Sequence, residues 1–249
     1  MERICEPELM DEPLQARAYA EADFSGSDQA FTARILELMA CAPGVAAPGS
    51  ATNPSDALRI LDLGCGPGNI SFRLAAALPQ ARVLGLDGAK AMLALAEQHR
   101  QREIEQWPHL HFQLARLPLP PHDLAALEAL PAGFRPPYAV IVSNSLLHHL
   151  HNPAVLWQTV HQLAAPAALV VVRDLRRPPH PQALQELVER HASAAPALLR
   201  RDFANSLAAA FSPQEVEAQL VAAGLSGFRV ESVDDRYLEV SGQRPLWQL

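Results

Sequence analysis

The stretch from Leu58 to Asn69 constrains the fold of this chain more than any other. It reads Leu-Arg-Ile-Leu-Asp-Leu-Gly-Cys-Gly-Pro-Gly-Asn, a short apolar run with one acidic residue that stops at three glycines spaced two apart. Beyond Asn69 the apolar residues recur at helical spacing. The pattern predicts a strand, a glycine turn and a helix. In open α/β sheets, ligands bind at the edge where such turns stand.

The glycine spacing differs from the dinucleotide fingerprint G-x-G-x-x-G. The glycines are Gly64, Gly66 and Gly68, so the third comes one residue early, and Pro67 precedes it. A pyrophosphate is bound by backbone N–H groups at a helix N-terminus, and proline has no N–H to donate. The turn therefore favours a nucleoside ligand without phosphates.

The segment Asp62–Gly68 resembles the first motif of the class I S-adenosylmethionine-dependent methyltransferases. The resemblance implies that S-adenosyl-L-methionine is the cofactor. It also implies that one group of residues shapes the site for the cofactor's amino-acid end: Asp62, Gly64, Cys65, Gly66 and Gly68.

Asp87 follows the second predicted strand, 19 positions beyond Gly68. A doubly wound fold brings the ends of the first two strands side by side, so a carboxylate here can accept both ribose hydroxyls. The alternative is a strand-end or N-cap aspartate, because Gly88-Ala89-Lys90 follows. Together with the glycine turn, the ribose role is favoured, and Gly88 is predicted to contact the cofactor.

The segment Val140–Pro153 resembles the fourth motif of small-molecule methyltransferases, which often ends in Leu-His-His-Leu-x-Asp-Pro. The resemblance implies that Ser143 and Asn144 lie near the methionine half of the cofactor. His148 and His149 are predicted to contact the substrate or to act as a catalytic base, because the pKa of histidine lies near neutrality. The alternative is that one histidine packs against the cofactor pocket and the other is structural.

A metal site is not predicted. His148, His149 and His151 are close in sequence. Adjacent positions, however, do not converge as the i, i+4 histidine pair of a helical zinc site does.

Other positions leave alternatives open. Gln113, beside Leu114, occupies the family's place for an Asp near the adenine, and its carbonyl oxygen can still accept a hydrogen bond from an amine. A surface glutamine is the alternative. Ala139 replaces the family's acidic residue at the start of the fourth strand. Tyr19 and Phe24 are predicted to cover the cofactor, with core packing as the alternative.

Three arginines lie at or beyond the end of the fifth predicted strand: Arg173, Arg176 and Arg177. Arginines near a pocket can bind a carboxylate or phosphate bidentately. The favoured interpretation is that they lie at solvated helix ends and form salt bridges with Asp174, Glu186 or Asp202.

Strands and helices alternate from residue 58 to residue 173, which predicts a mostly parallel sheet with helices on both faces. The predicted strands are 58–63, 82–86, 110–114, 138–143 and 168–173, and the predicted helices are 69–78, 89–102, 124–130 and 153–163. Residues 180–223 are predicted to be helical, and two alternating runs around Asp234-Asp235 predict a hairpin. The fold class is α/β: a doubly wound, mostly parallel seven-stranded sheet with a C-terminal antiparallel hairpin and a helical lid.

A single domain over residues 1–249 is predicted. Its parts are an N-terminal helical cap (1–50), a cofactor-binding core (55–175), a helical lid (176–226) and a closing hairpin (227–249). The cap holds two helices within 11–41, the second with Asp28 as its N-cap. Residues 42–55, rich in proline, glycine and alanine, are predicted to be a linker.

Charge and hydropathy limit the classes of partner that are expected for this chain. The net charge is −7, from 27 acidic and 20 basic residues without a basic block, so a nucleic-acid partner is not expected. No run approaches the ~18–20 apolar residues of a membrane span, and the acidic N-terminus lacks a secretory pattern. Three scattered cysteines do not indicate a disulfide framework. A cytoplasmic protein is expected, with a homodimer left open.

The predicted function is transfer of a methyl group from S-adenosylmethionine to a small-molecule acceptor by in-line displacement. One alternative is a macromolecular methyltransferase acting on protein or RNA, which the acidic charge disfavours. The other is a catalytically idle cofactor-binding subunit, which Ala139 and Gln113 leave open. The acceptor atom, whether oxygen, nitrogen, sulfur or carbon, does not follow from the sequence.

Overall fold

The computed structural model describes residues 1–45 and 57–244. The strands in these ranges are β1 (Arg59–Leu63), β2 (Arg82–Asp87), β3 (Leu110–Leu114), β4 (Tyr138–Asn144), β5 (Ala164–Leu175), β6 (Arg229–Ser232) and β7 (Tyr237–Gln243). The α-helices there are α1 (Pro13–Glu21), α2 (Ser25–Cys41), α3 (Asn69–Ala77), α4 (Lys90–Arg102), α5 (Pro121–Ala129), α6 (Ala154–Leu163), α7 (Pro181–Ala192), α8 (Ala197–Ala209) and α9 (Pro213–Ala222).

The strands form one sheet in the order β3-β2-β1-β4-β5-β7-β6. Strands β1 to β5 pair in parallel, whereas β7 runs antiparallel to both β5 and β6. The chain moves outward from β1 to β3 and then returns to β4, so the topology switches direction between β1 and β4. A crevice forms at such a switch point, outside the carboxyl ends of the strands. The predicted seven-stranded sheet with its closing hairpin is confirmed.

Both faces of the central strands are covered by helices. Leu61 and Ile141 pack in a cluster with residues of α5, α6 and α9. Their neighbours Ile60 and Val140 pack in a second cluster with residues of α2, α3 and α4. Burial on both faces explains why these strands are continuous apolar runs without alternation, and it confirms the doubly wound arrangement.

Two local predictions were wrong. Helix α2 begins at Ser25, where Oδ1 of Asp23 accepts hydrogen bonds from the backbone N–H and the hydroxyl of Ser25. Asp28 therefore lies in the first turn of the helix and is not its N-cap. Strand β5 begins earlier than predicted, at Ala164, which pairs with Tyr138 across a register shift in β4.

Helix α5 begins at Pro121, three residues before the predicted start at residue 124. Ser212 caps α9 through a capping box with Glu215. The predicted linker, 42–55, lies mostly outside the described residues, as do the last five residues of the predicted hairpin segment. Within the described ranges, no helix combines the length and apolar character that crossing a membrane requires.

Candidate functional site

A cavity of about 470 Å³ lies at the carboxyl ends of β1, β2 and β4. The glycine turn, Asp87 and Asn144 line it from these strand ends. The N-terminal segment contributes Leu9, and α8 contributes Phe203. Small-molecule sites usually measure ~300–1,000 Å³, so the cavity is large enough for a nucleoside and a small second ligand.

All three glycines of the turn adopt left-handed backbone angles, and Gly64 and Gly66 line the cavity. Gly64 has φ +69°, and a Cβ there would lie 2.8 Å from the side chain of Leu146. Gly66 has φ +54°, and a Cβ there would meet no atom within 4 Å. Gly64 is therefore required by packing, whereas Gly66 leaves open space in which a ligand can approach the main chain.

Asp87 joins the turn to the end of β2. Its two carboxylate oxygens accept hydrogen bonds from the backbone N–H groups of Gly66 and Ala89, each at 2.7 Å. Burial raises the pKa of Asp87, and these hydrogen bonds act in the opposite direction. The carboxylate that we expected to hold a ribose also fixes the shape of the glycine turn.

Asp62 lies beneath the turn and is 1% exposed. Its Oδ2 accepts a hydrogen bond from the hydroxyl of Ser71 at 2.6 Å. Burial raises the pKa of Asp62 to about 7, with a further contribution from the charge of Asp87. A negative charge at this position is costly until a cation or further hydrogen-bond donors compensate it.

His148 and His149 lie in a 3-10 turn that follows β4, and both line the cavity. Nδ1 of His148 is 2.6 Å from Oδ1 of Asp174, the residue before the last in β5. Burial alone would lower the pKa of His148, but the charges of Asp174 and Glu6 outweigh it and the pKa is raised. Burial and the neighbouring His148 lower the pKa of His149 to about 3. The two adjacent imidazoles therefore favour opposite protonation states.

The first twelve residues precede α1 and cross the edge of the cavity without forming a helix or strand. The guanidinium group of Arg3 donates hydrogen bonds to the carbonyl oxygens of His148 and Leu150 at 2.9 and 3.0 Å. Leu9 fills the space beside Gly88, where a Cβ would lie 2.9 Å from its side chain. The N-terminal segment is thus bound to the turn after β4 and to the turn after β2.

Glu6 brings a carboxylate to the paired histidines. Its Oε1 lies 3.4 Å from Nε2 of His148 and 3.3 Å from Nδ1 of His149. The same oxygen accepts a hydrogen bond from the hydroxyl of Ser206 in α8 at 3.0 Å. Burial raises the pKa of Glu6.

Most of the predicted site residues line the cavity: Tyr19, Asp62, Gly64, Cys65, Gly66, Asp87, Gly88, Asn144, His148 and His149. Four do not belong to its lining: Gly68, Gln113, Leu114 and Ser143. Ser143 is buried and donates its hydroxyl hydrogen bond to the carbonyl oxygen of Leu63. Gln113 donates to the carbonyl oxygen of Leu114, whose side chain is 38% exposed. Beyond β3, the cavity is instead lined by Ala115 to Leu117.

The arginines after β5 have other partners than those expected. Arg173 is buried and pairs with Glu239 of β7 at 3.1 Å. Arg177 pairs with Glu215 of α9 at 2.7 Å. Since Arg173 lies within β5 and its guanidinium group is buried against the ring of Phe31, the prediction of a solvated helix end was wrong for this residue.

Several lining or supporting residues were missed by the sequence analysis: Glu6, Asp174, Asp202 and Phe203. Asp174 had a usable signal, because it follows the apolar run of β5 as Asp87 follows that of β2. Glu6 had no sequence signal, because it lies in a segment without periodicity. It reaches the histidines only through the tertiary fold.

The parallel sheet edge, the glycine turn and the two carboxylates define a Rossmann-like, nucleoside-binding α/β protein. Residues 61–170 match the family model described as a methyltransferase domain. The chain is 32% identical over 176 residues to a trans-aconitate 2-methyltransferase of Methylobacterium nodulans. The aligned region covers 67% of this chain and 57% of that protein. The chain is 30% identical over 128 residues to a ubiquinone biosynthesis O-methyltransferase of Leptothrix cholodnii, over 50% of this chain and 47% of that protein. The chain thus spans about half the length of these curated relatives.

Solved structures share the fold over most of the chain. A SAM-dependent methyltransferase from Aquifex aeolicus aligns with a TM-score of 0.59 at 15% identity, covering 93% of this chain and 98% of that one. The plantazolicin methyltransferase BpumL, in complex with a desmethyl analog and SAH, aligns with a TM-score of 0.61 at 13% identity, covering 94% and 92%. With the sequence matches, the fold and the glycine turn, residues 61–170 form a methyltransferase domain of the S-adenosylmethionine-dependent type.

Proposed function

We propose that this protein transfers the methyl group of S-adenosylmethionine to a small-molecule acceptor by in-line displacement. The observation that carries the proposal is the layout of one cavity, in which the glycine turn and Asp87 meet the paired His148 and His149. Relatives named trans-aconitate 2-methyltransferase and a ubiquinone biosynthesis O-methyltransferase support transfer to a small molecule.

The residues around the turn fit the cofactor. The carboxylate of Asp87 accepts backbone hydrogen bonds from Gly66, Ala89 and Gly88, and since it lines the cavity it retains acceptor capacity for a ribose hydroxyl. The open space at Gly66 admits a ligand close to the main chain. Asp62 lines the cavity beneath the turn, where the cofactor's ammonium group would compensate its buried charge.

The cofactor, when bound, supplies a sulfonium methyl group that is already activated toward nucleophiles. The chain's own task is to hold an acceptor atom in line at ~3–3.5 Å and to keep water out. The N-terminal segment and α8 cover the cavity and serve the second purpose. His149, held neutral by its low pKa, lines the cavity on the side where the acceptor would lie.

One cation is suited to hold the acceptor. Arg236 lines the cavity, and its Nε is buried without a hydrogen-bond partner among the described residues. Arg116 also lines the cavity but pairs with Glu8 at 3.2 Å. Because Asp202 adds a negative charge to the lining, we propose an acceptor with no more than one anionic group beside its nucleophilic atom.

The predicted domain layout becomes part of the proposal. Tyr19 and Phe24 of the cap region (1–50) and residues of the lid (176–226) line the cavity together with the core. We propose that cap and lid select the acceptor, while the core (55–175) binds the cofactor. A cavity lined by cap, lid and core together supports a small-molecule acceptor over a protein or RNA chain.

Calorimetry with S-adenosylmethionine and its demethylated product tests cofactor binding directly. Asp87→Asn should weaken both by the ~1.5–3 kcal/mol typical of a hydrogen bond to a charged group. The matched control is Glu105→Gln, an exposed residue of the turn after α4, which should leave the affinity unchanged. Absence of heat with either ligand would contradict the proposal.

A labelling experiment with the same protein distinguishes the three functions considered: small-molecule transfer, macromolecular transfer and cofactor binding without transfer. Radiolabelled cofactor incubated with small acceptors, with total RNA and with total protein reports which class receives the label. Labelled small molecules are expected. Label in RNA or protein would favour the macromolecular alternative, and cofactor binding without any labelled product would favour an idle subunit.

A further inference from the structure

We propose that Glu6, His148 and His149 form a binding site for a divalent transition-metal ion of the zinc type beside the cavity. The atoms that face one another are Oε1 of Glu6, Nε2 of His148 and Nδ1 of His149, and all lie within 4.8 Å of one another. Two imidazole nitrogens and one carboxylate oxygen are the donor set of catalytic zinc sites, which keep a fourth position open for water or a substrate.

The distances fit ligands better than they fit hydrogen bonds. Zinc bonds of ~2.0–2.1 Å at tetrahedral angles place neighbouring ligand atoms roughly 3.3–3.4 Å apart. Glu6 Oε1 lies at 3.4 and 3.3 Å from the two ring nitrogens. Charge-assisted hydrogen bonds are shorter, ~2.7–2.9 Å, as the 2.6 Å contact of His148 with Asp174 illustrates. The carboxylate oxygen of Glu6 therefore lies at the distance from the two ring nitrogens that is expected when all three atoms bind one ion.

The surrounding residues orient the ligands. Asp174 holds Nδ1 of His148, which directs the other ring nitrogen toward Glu6, as a carboxylate does behind a metal-bound histidine. Ser206 holds the carboxylate of Glu6. Nδ1 of His149 also lies 3.3 Å from the carbonyl oxygen of Pro7, a hydrogen bond that metal binding through this nitrogen would replace.

The charge at this place also suits a cation. Glu6 and Asp174 bring two carboxylates to the buried imidazoles. The nearest guanidinium group, that of Arg3, donates its hydrogen bonds to main-chain carbonyl oxygens of residues 148 and 150. A bound ion would join the N-terminal segment to the turn after β4. The site adjoins the cavity that both histidines line.

The proposal departs from the sequence prediction of no metal ligands. That prediction considered only the three neighbouring histidines. In the structure the rings of His148 and His149 lie 4.2 Å apart between centroids, and the third ligand comes from the N-terminal segment. His151 takes no part, because its Nε2 lies 2.8 Å from the main-chain oxygen of Glu6.

Metal binding by the full chain tests the site. The exposed thiols Cys5 and Cys41 are replaced by serine in every protein, and each is stripped with a chelator before titration. We expect one equivalent of Zn²⁺ by calorimetry, and visible absorption bands of tetrahedral Co²⁺ on titration with cobalt. Glu6→Gln and His149→Gln should each weaken binding by more than the ~10–100-fold typical of lost outer-shell partners.

Two control variants are close in sequence and outside the site. His151→Gln and Glu8→Gln should retain wild-type affinity for both ions. Circular dichroism and thermal unfolding in chelator show whether each variant is folded, and if Glu6→Gln is not, Glu6→Asp must weaken binding instead. Failure of Zn²⁺ and Co²⁺ to bind saturably would overturn the proposal, as would binding that Glu6 and His149 variants leave unchanged. Cofactor calorimetry in chelator tests the methyltransferase function separately.

Discussion

Nδ1 of His148 lies 2.6 Å from Oδ1 of Asp174, with both side chains almost fully buried. The other oxygen of Asp174 accepts a hydrogen bond from the backbone N–H of Leu147 at 2.6 Å. One carboxylate at the end of β5 therefore holds both the backbone and the side chain of the turn after β4. This contact orients the imidazole that stands between the cavity and the N-terminal segment.

The first prediction concerns the pH dependence of this contact. Because the pKa of His148 is raised in the folded protein, the native state binds a proton more tightly than the unfolded state, whose histidine titrates near ~6.5. The resulting stabilisation is complete below that pH and is lost as the pH rises through the raised pKa. His148→Gln should therefore lower the free energy of unfolding most below pH ~6.5, and progressively less above it.

Urea unfolding in chelator between mildly acidic and mildly alkaline pH measures this difference, and the NMR titration of His148 gives its pKa directly. His151→Gln, with a ring that is 54% exposed, is the control and should show no comparable dependence. A difference between wild type and His148→Gln that stays constant with pH would count against the ion pair.

The second prediction concerns Asp62, whose pKa is raised to about 7. The native state retains a proton that the unfolded state releases near ~3.9, so stability falls as the pH rises from about 4 to 7. The Asp62→Asn substitution removes this pH-dependent loss of stability, because an amide does not ionise. The variant should be more stable than wild type above pH 7 by a few kcal/mol, at ~1.4 kcal/mol per pKa unit, and about equally stable near pH 4.

Thermal unfolding of the cofactor-free protein at several pH values measures the gain, and Glu105→Gln serves as the surface control. The same Asp62→Asn variant should bind S-adenosylmethionine more weakly, because an amide cannot compensate the cofactor's ammonium charge. A variant that is less stable than wild type at pH 8 would show that the ionised carboxylate of Asp62 does not destabilise the native state.

The third prediction separates packing from ligand binding in the glycine turn. Gly66→Ala places a Cβ in open space at φ +54°, so it should cost only the ~1–2 kcal/mol of a left-handed residue while abolishing cofactor binding. Gly64→Ala adds a Cβ 2.8 Å from Leu146 at φ +69°, so it should cost considerably more stability.

Unfolding curves and cofactor calorimetry on both variants test this pair, each serving as the control for the other. If Gly66→Ala bound the cofactor as wild type does, the turn would not be in contact with it. If both variants lost equal stability, Leu146 would not be the reason for Gly64.

The fourth prediction concerns the buried ion pair between β5 and β7. Arg173 lies 3.1 Å from Glu239, with both side chains nearly buried, and above the ring of Phe31. Glu239→Gln leaves a buried guanidinium group without its counter-charge, which should cost ~3–5 kcal/mol. Denaturant unfolding measures the loss.

The control for this pair is Glu231→Gln. Glu231 is 53% exposed and lies 3.9 Å from Arg34, which also contacts Glu239. Its replacement should change stability by no more than ~0.5 kcal/mol. Equal losses in the two variants would show that burial of Arg173 is not the source of the effect.

Much of the fold could be predicted because its signals are local. The boundaries of β1, β3 and β4 were correct to within a residue, since each is a short apolar run that ends at a turn. The start of β5 was missed, because Ala164 pairs with Tyr138 through a register shift that no local pattern reveals. The N-cap of α2 was misassigned to Asp28 because the helix begins earlier, at Ser25, where Asp23 accepts hydrogen bonds from the backbone N–H and the hydroxyl of Ser25.

The sequence by itself determined the cofactor end of this protein. Three glycines spaced two apart, a strand-end acid and a second acid after the next strand are local patterns whose geometry follows from backbone sterics and strand order. The tertiary structure alone decided the charge environment of the two histidines that follow β4. Asp174 and Glu6, which reach His148 across the sheet and from the N-terminal segment, raise its pKa against the effect of burial, whereas burial and the neighbouring His148 lower the pKa of His149. Electrostatic interactions depend on distance in space and on burial, and neither is written in the spacing of residues along the chain.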